Sequence, residues 1–336
     1  MQKELKDKSI KILNKILPFI GLFVIVYIVY SIGVQNIVDS FFKINPLYLM
    51  AIIPITIFSY FLATYFWQLI LKKQNIKIGF FKSMKIMLIS GFYATVTPGR
   101  LGTWVKIPLL KKETQEPSGK VLINCLILSG IQTVSLFILM IIGTFFISDI
   151  VPIALPISIL CLIVSFIFVI LFGKEKIGSK IIYFSIKIFI PKRAKPYFYR
   201  LVKTFYKDFP RFNDMIYPFI VSQFLTLVYY FSYYLFALSI GINIGFEYFI
   251  AITTLIASLS LIPIPGFVGV RKLSLIYLFS LFGIAAADSF TLSLLPFLIT
   301  GIPFVFIGFI LALPWKKNSL FKQRKNLSFK KIITSN

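Results

Sequence analysis

The sequence predicts an all-α polytopic membrane protein, and three observations carry that reading. Hydrophobic residues make up 58% of the 336-residue chain and charged residues 14%, with a mean hydropathy of +0.89. A soluble domain of this length needs far more polar surface. Apolar stretches long enough to span a bilayer recur along the chain, at 17–33, 47–71, 121–147, 152–172, 216–241 and 290–313. The 36 Lys and Arg residues, against 11 Asp and Glu, flank those stretches and fall almost entirely on one side of them, as the positive-inside rule requires.

Each element follows in order. Lys3, Lys6, Lys8, Lys11 and Lys15 precede the stretch 17–33. This imitates a signal peptide, but no small-x-small cleavage pattern follows and more spans come after, so an uncleaved first helix with a cytoplasmic N-terminus is expected. The connection 34–46, with Asp39 and Lys43, falls outside, and 47–71 returns inward. Residues 72–85 carry five lysines and 111–120 carry Lys111, Lys112 and Lys120, so both lie inside. The apolar stretch 86–110 between them therefore crosses an even number of times, as a hairpin entered from the cytoplasm. The chain then exits through 121–147 to Asp149 and returns through 152–172. The basic stretch 174–215 reads as two amphipathic helices in the cytoplasmic headgroup layer, separated by Pro191 and Pro196. One carries Lys176, Lys180 and Lys187 beside Ile181, Ile182, Phe184 and Ile188. The other places Phe198, Leu201, Val202, Phe205 and Phe209 at helical spacing. The span 216–241 exits to Glu247, and 290–313 returns to a basic tail. The stretch 249–283 therefore starts and ends outside, near Glu247 and Asp288. It is either a second re-entrant hairpin or two short full crossings with Arg271 and Lys272 at the cytoplasmic surface.

The expected architecture is thus six full spans plus two hairpins, in an inverted repeat. A span, a hairpin and a span follow one another in each half, with opposite membrane orientation, as in many transporters. Residues 1–315 are expected to form a single transmembrane domain and 316–336 a basic cytoplasmic tail.

Both hairpins are broken by the same pattern. Pro98-Gly99-Arg100-Leu101-Gly102 and Pro265-Gly266-Phe267-Val268-Gly269 are each Pro-Gly-x-x-Gly. Pro and Gly interrupt a helix, and a broken backbone in hydrocarbon is tolerated only where protein or a water-filled cavity covers it. A matched pair of such breaks points to a binding site between two repeats. Arg100 and Lys106 accompany the first break, Arg271 and Lys272 the second. A charge at membrane depth costs about 3 kcal/mol even on insertion scales. The planar fork of arginine suits a phosphate, and helix N-termini add to the attraction. Structural pairing of the cations with backbone carbonyls, or snorkelling of Lys106 and Lys272, is the alternative. The candidate substrate-binding set is Pro98, Gly99, Arg100, Gly102, Thr103 and Lys106, with Pro265, Gly266, Gly269, Arg271 and Lys272.

Other chemistry finds little support. The net charge of +25 raises nucleic acid as a partner, but basic residues that flank apolar spans point instead to membrane phospholipids. There is no histidine, and Cys125 and Cys161 lie mid-span as packing residues. No metal site and no cofactor are expected. The carboxylates lie in loops or near surfaces, so no acid–base pair is available, and the protein is expected not to be an enzyme. No nucleotide-binding loop is present to supply ATP drive.

The stretches Ser90–Gly102, containing Ser-Gly-Phe-Tyr-Ala-Thr-Val-Thr-Pro-Gly-Arg-Leu-Gly, and Ile262–Arg271, containing Ile-Pro-Ile-Pro-Gly-Phe-Val-Gly-Val-Arg, resemble the lysylphosphatidylglycerol synthase transmembrane family, also called the flippase-like domain. The resemblance implies a membrane domain linked to moving aminoacylated lipid between leaflets. Larger members join it to a soluble aminoacyl-transferase domain. This chain is similar to a stand-alone form, because the residues after Leu313 are too few for a synthetase. It departs from the family where an acidic residue is usual: Thr103 follows the first motif, and Lys272 follows Arg271. Loss of both acids favours an anionic substrate over a lysine-bearing one. The expected function is translocation or export of an anionic phospholipid or lipid-linked headgroup across the cell membrane. The alternative is a non-catalytic subunit that presents lipid to a partner aminoacyl- or glycosyl-transferase.

Overall fold

The computed structural model describes residues 24–173, 175–189, 195, 196, 199, 202, 206, 210–259 and 267–318. Every regular element among them is helical. Among the described residues, four helices are long and apolar enough to cross a bilayer: Pro46–Lys73, Ser118–Phe146, Phe212–Ser239 and Ala286–Leu313.

The first helices depart from the expected single span. α1 (Val24–Ile32) bends by 77° into α2 (Val34–Phe42), so part of the expected loop 34–46 is helical. Gly33 makes the bend, with φ of 86°, a backbone conformation that costs little without a Cβ. The remainder of the expected span, 17–23, lies outside the described residues. α3 (Pro46–Lys73) then starts cleanly. Pro46 needs no donor at that position, and the Asn45 side chain accepts from the Leu47 amide at 3.0 Å.

The first hairpin consists of α4 (Phe80–Val96), a 3₁₀ segment (Pro98–Val105) and α5 (Lys106–Thr114). Lys82 at its start pairs with Glu113 at its end, 3.2 Å apart. Both ends therefore meet at one end of the molecule, the end rich in lysine. α6 (Ser118–Phe146) leads to the opposite, acidic end, and α7 (Ala154–Gly173) returns. The basic connection begins with α8 (Glu175–Phe189), as expected. Ile186 of α8 is buried with Ile123 of α6, Val202 and Tyr206. Most of the expected second amphipathic helix, 197–209, lies outside the described residues.

A short 3₁₀ turn (Phe212–Met215) opens α9 (Ile216–Ser239). The second hairpin consists of α10 (Phe246–Leu259) and α11 (Phe267–Ser280). Its ends also meet: the rings of Tyr248 and Phe282 lie 5.4 Å apart, and those of Phe249 and Phe279 lie 6.1 Å apart. The turn that joins the arms, 260–266, lies outside the described residues. The last span is not continuous: α12 (Ala286–Pro296), a π turn (Phe297–Gly301) and α13 (Ile302–Asn318) follow one another. Pro296 and Pro303 each remove a ladder donor, and the wider π turn between them absorbs the mismatch.

The halves are related by exchange. α3 packs on α9, with Thr56 beside Ser232 (3.3 Å) and Tyr65 beside Tyr217 (3.0 Å). Rising numbers on one helix meet falling numbers on the other, so the first spans of the two halves run antiparallel, as an inverted repeat demands. α6 of the first half packs on the second hairpin's α10, and α13 of the second half packs on the first hairpin's α4. A glycine makes each crossing. A Cβ on Gly143 would lie 2.6 Å from the Ala251 amide nitrogen, and one on Gly308 would press on the Leu88 carbonyl. Two cores result. Phe66, Trp67, Leu71, Ile89 and Leu110 fill the basic end, while Ile52, Phe236, Phe249, Phe279 and Leu292 fill the acidic end.

Candidate functional site

The first hairpin turns because Pro98 disfavours helical backbone at the preceding residue. Thr97 is accordingly extended, with φ −109° and ψ 138°. Its hydroxyl then closes the break twice, donating to the Tyr93 carbonyl at 2.7 Å and accepting from the Gly102 amide at 2.6 Å. Gly102 lies directly on the α4 backbone, where a Cβ would collide with the Tyr93 carbonyl and sit 2.6 Å from the Ala94 nitrogen. The second glycine of the motif is thus a close-approach residue. Thr97 is a structural partner that motif reasoning missed; a hydroxyl residue just before the Pro was its signal.

Pro98, Gly99 and Arg100 form the first turn of the 3₁₀ segment; their side chains lie outside the described part. Thr103 is exposed. Lys106 is half-buried, with its ammonium 5.8 Å from the centre of the Trp67 ring, a distance at which the ring face attracts a cation. Trp67 is itself held in a fully buried polar chain. Its indole N–H donates to Asn124 Oδ1 at 2.7 Å, and Asn124 Nδ2 donates to Gln74 Oε1 at 2.8 Å.

In the second hairpin, Pro265 and Gly266 lie outside the described residues. Gly269 is buried. Arg271 is half-buried and within electrostatic reach of Tyr230 and Tyr233 on α9. Paired tyrosines in the middle of an apolar span were the sequence signal for this proximity, since a buried phenol seeks a polar partner. Lys272 is engaged by the last span. Its ammonium donates to Ser293 Oγ at 2.7 Å and lies 5.1 Å from the Phe290 ring centre. That pairing fits the structural reading of this cation better than a substrate contact.

The two hairpins pack on different helices, α4 of the first on α13 and α10 of the second on α6. Two cavities are described, and neither is lined by a residue of either Pro-Gly-x-x-Gly motif. One, of about 730 Å³, lies at the acidic end between α2, α11 and the start of α12. The other, of about 660 Å³, lies at the basic end around Gln68, Lys72, Asn75 and Lys77. Among the described residues, no group of three or more His, Cys, Asp or Glu side chains could hold a metal ion. Cys125 is buried and Cys161 half-buried, both as free thiols.

No curated protein and no solved structure matches this chain. A family model described as the lysylphosphatidylglycerol synthase TM region matches residues 16–308, which include both hairpins, three of the four long spans and most of the fourth. With helical membrane architecture, two opposed hairpins and that match together, the chain belongs to the lysylphosphatidylglycerol synthase transmembrane-region family, a family of membrane proteins linked to lipid modification or translocation.

Proposed function

We propose that this protein carries the phosphate-bearing headgroup of a phospholipid between the leaflets of the cell membrane. One observation carries the reading: cationic side chains sit half-buried on two hairpins that enter the helix bundle from opposite ends. Lys106 and Arg271 are the described examples. A cation is retained at such depth at a cost, and an anionic headgroup passing the site repays it. Arg271 offers a planar fork for phosphate oxygens, and the Tyr230 and Tyr233 hydroxyls nearby are further donors. Arg100 is assigned the matching role at the first break. The basic end is assigned to the cytoplasm on the charge rule, which places both termini there. Helices that break inside the bundle, as at Thr97, are the usual site of substrate contact in inverted-repeat transporters.

The test is lipid movement in liposomes that contain the purified protein. Fluorescent phosphatidylglycerol placed in both leaflets is reduced from outside, and the accessible fraction is followed over time. The wild type moves lipid and raises that fraction above one leaflet's share. Arg100→Ala and Arg271→Ala, checked for insertion and monodispersity, abolish the increase. Undiminished movement in both variants overturns the proposal. Lipid retained through purification without movement favours presentation of lipid to a partner transferase.

A further inference from the structure

We propose that the cavity at the acidic end, roofed by α2, binds the zwitterionic headgroup of a phospholipid in the outer leaflet. Its role as an exit stage rests on the transport function proposed above; binding itself does not.

The argument starts from the orientation of α2. Asn36, Asp39, Ser40 and Lys43 fall at i, i+3, i+4 and i+7, on one face of the helix, and all four line the cavity of about 730 Å³. The opposite face carries Val34, Val38 and Phe42, which are 64%, 37% and 85% exposed. Between the two faces, Ile37 is buried against Ile28 and Phe290, with Phe41 packed beside it. The helix is therefore seated on the bundle by Ile37 and Phe41, with one flank apolar and exposed and the other flank polar along the cavity. The 77° bend at Gly33 lays α2 across the bundle end and creates the space beneath it.

The chemistry of the walls narrows the occupant. Ile28 and Ile32 of α1 and Leu273 and Ile276 of α11 make one side apolar, fit for the glycerol and upper acyl region of a lipid. The roof presents charges of both signs. Asp39 accepts one hydrogen bond, from Gln35 at 2.9 Å, and a carboxylate has capacity for more. Lys43 gives one contact to Asp288 at 2.9 Å and its side chain remains 54% exposed, so further ammonium protons face outward. Asp288 is already taken by Lys43 and by Ser40 at 2.6 Å. The Asp288 side chain is only 16% exposed, while the exposed charges on the roof are Asp39 and Lys43. They stand one helical turn apart, with Cβ atoms about 5–6 Å from each other. This is the scale of an ammonium and a phosphate joined by two carbons. A purely anionic headgroup would leave Asp39 facing like charge, and a purely cationic one would leave Lys43 so.

The test uses full-length protein in nanodiscs, with photoactivatable phosphatidylethanolamine or phosphatidylglycerol bearing the reactive group near the headgroup. Adducts are located by mass spectrometry. Phosphatidylethanolamine labels the segments 27–43 and 273–288 about fivefold more than phosphatidylglycerol, roughly 1 kcal/mol. Asp39→Asn, an exposed change that leaves packing intact, abolishes the preference, and Ile276→Trp, which fills the space, lowers labelling by both lipids. Equal labelling by the two lipids overturns the proposal, as does a preference that survives Asp39→Asn. Displacement of the label by millimolar O-phosphoethanolamine as readily as by lipid also overturns it, because the site would then take a free headgroup. Lipid movement with no preference here sinks this site and leaves the transport reading standing; the preference without movement does the opposite.

Discussion

Replacing Gly143 by alanine should destabilise the protein, while the same change at Gly130 on the same helix should stabilise it. At Gly143 the added carbon lies 2.6 Å from the Ala251 nitrogen and 2.8 Å from its Cα, where ordinary contact begins at 3.4 Å. The obstacle is backbone, so α6 and α10 must part by about 0.8 Å along their crossing. Overpacking of this kind costs about 1–3 kcal/mol. The gain in helix propensity from Gly to Ala returns about 1 kcal/mol, leaving a net loss of up to roughly 2 kcal/mol. At Gly130 nothing lies within 4 Å of the new carbon, so only the propensity gain of about 1 kcal/mol remains. Gly308→Ala meets the Leu88 carbonyl even more closely and should cost the most. Equilibrium unfolding in mixed micelles, with each variant compared at matched detergent, gives the three values. The reasoning fails if Gly143→Ala and Gly130→Ala shift stability by the same amount in the same direction, because the two would then share an environment.

Asn124→Ala removes the partner of both Trp67 and Gln74 and should cost about 1–3 kcal/mol, read by unfolding and by a shift in tryptophan emission. The Lys43–Asp288 contact joins a half-exposed ammonium to a largely covered carboxylate. A double-mutant cycle with Lys43→Met and Asp288→Asn should give a coupling below about 1 kcal/mol that shrinks with salt. In a background with Cys125 and Cys161 replaced by alanine, single cysteines at positions 82 and 113 should react with an impermeant thiol reagent from one side only. Cysteines at 247 and 288 should react from the other. Opposite-side labelling of 82 and 113 removes the hairpin.

The spans were legible because a run of twenty apolar residues has few other uses, and α3, α6 and α9 follow their expected limits within a few residues. The first hairpin was legible from its Pro-Gly break, and its direction from the lysines on either side; the second was placed from Glu247 and Asp288 at its ends, and its Pro-Gly break lies outside the described residues. The bend at Gly33 was not. A short segment with both polar and apolar residues, such as 34–42, reads equally as loop or helix until its neighbours are known. The crossings at Gly143 and Gly308 were also hidden, since a glycine inside a span looks the same whether or not another backbone passes beside it. In the candidate site, the cations and glycines of the motifs were visible as types. Their partners were only partly so: Thr97 is local to the motif and Tyr230 and Tyr233 stand out as mid-span tyrosines, but Ser293 is brought to Lys272 by tertiary approach, which no local pattern encodes. The cavity under α2 was missed for the same reason, because its walls come from four separate stretches of chain.

The glycine crossing between α4 and α13 has a consequence for how the protein is made. Leu88 leaves the ribosome long before Gly308, its neighbour in the finished bundle. At about 5–20 residues per second, roughly 10–40 s separate the two. Throughout that interval the first hairpin stands in the insertion machinery or the bilayer without the helix that will cover it, its cations and broken backbone facing whatever shelters them. Biogenesis of this fold therefore requires a temporary host for α4, and the nascent chain is most vulnerable to quality control before its final helix arrives.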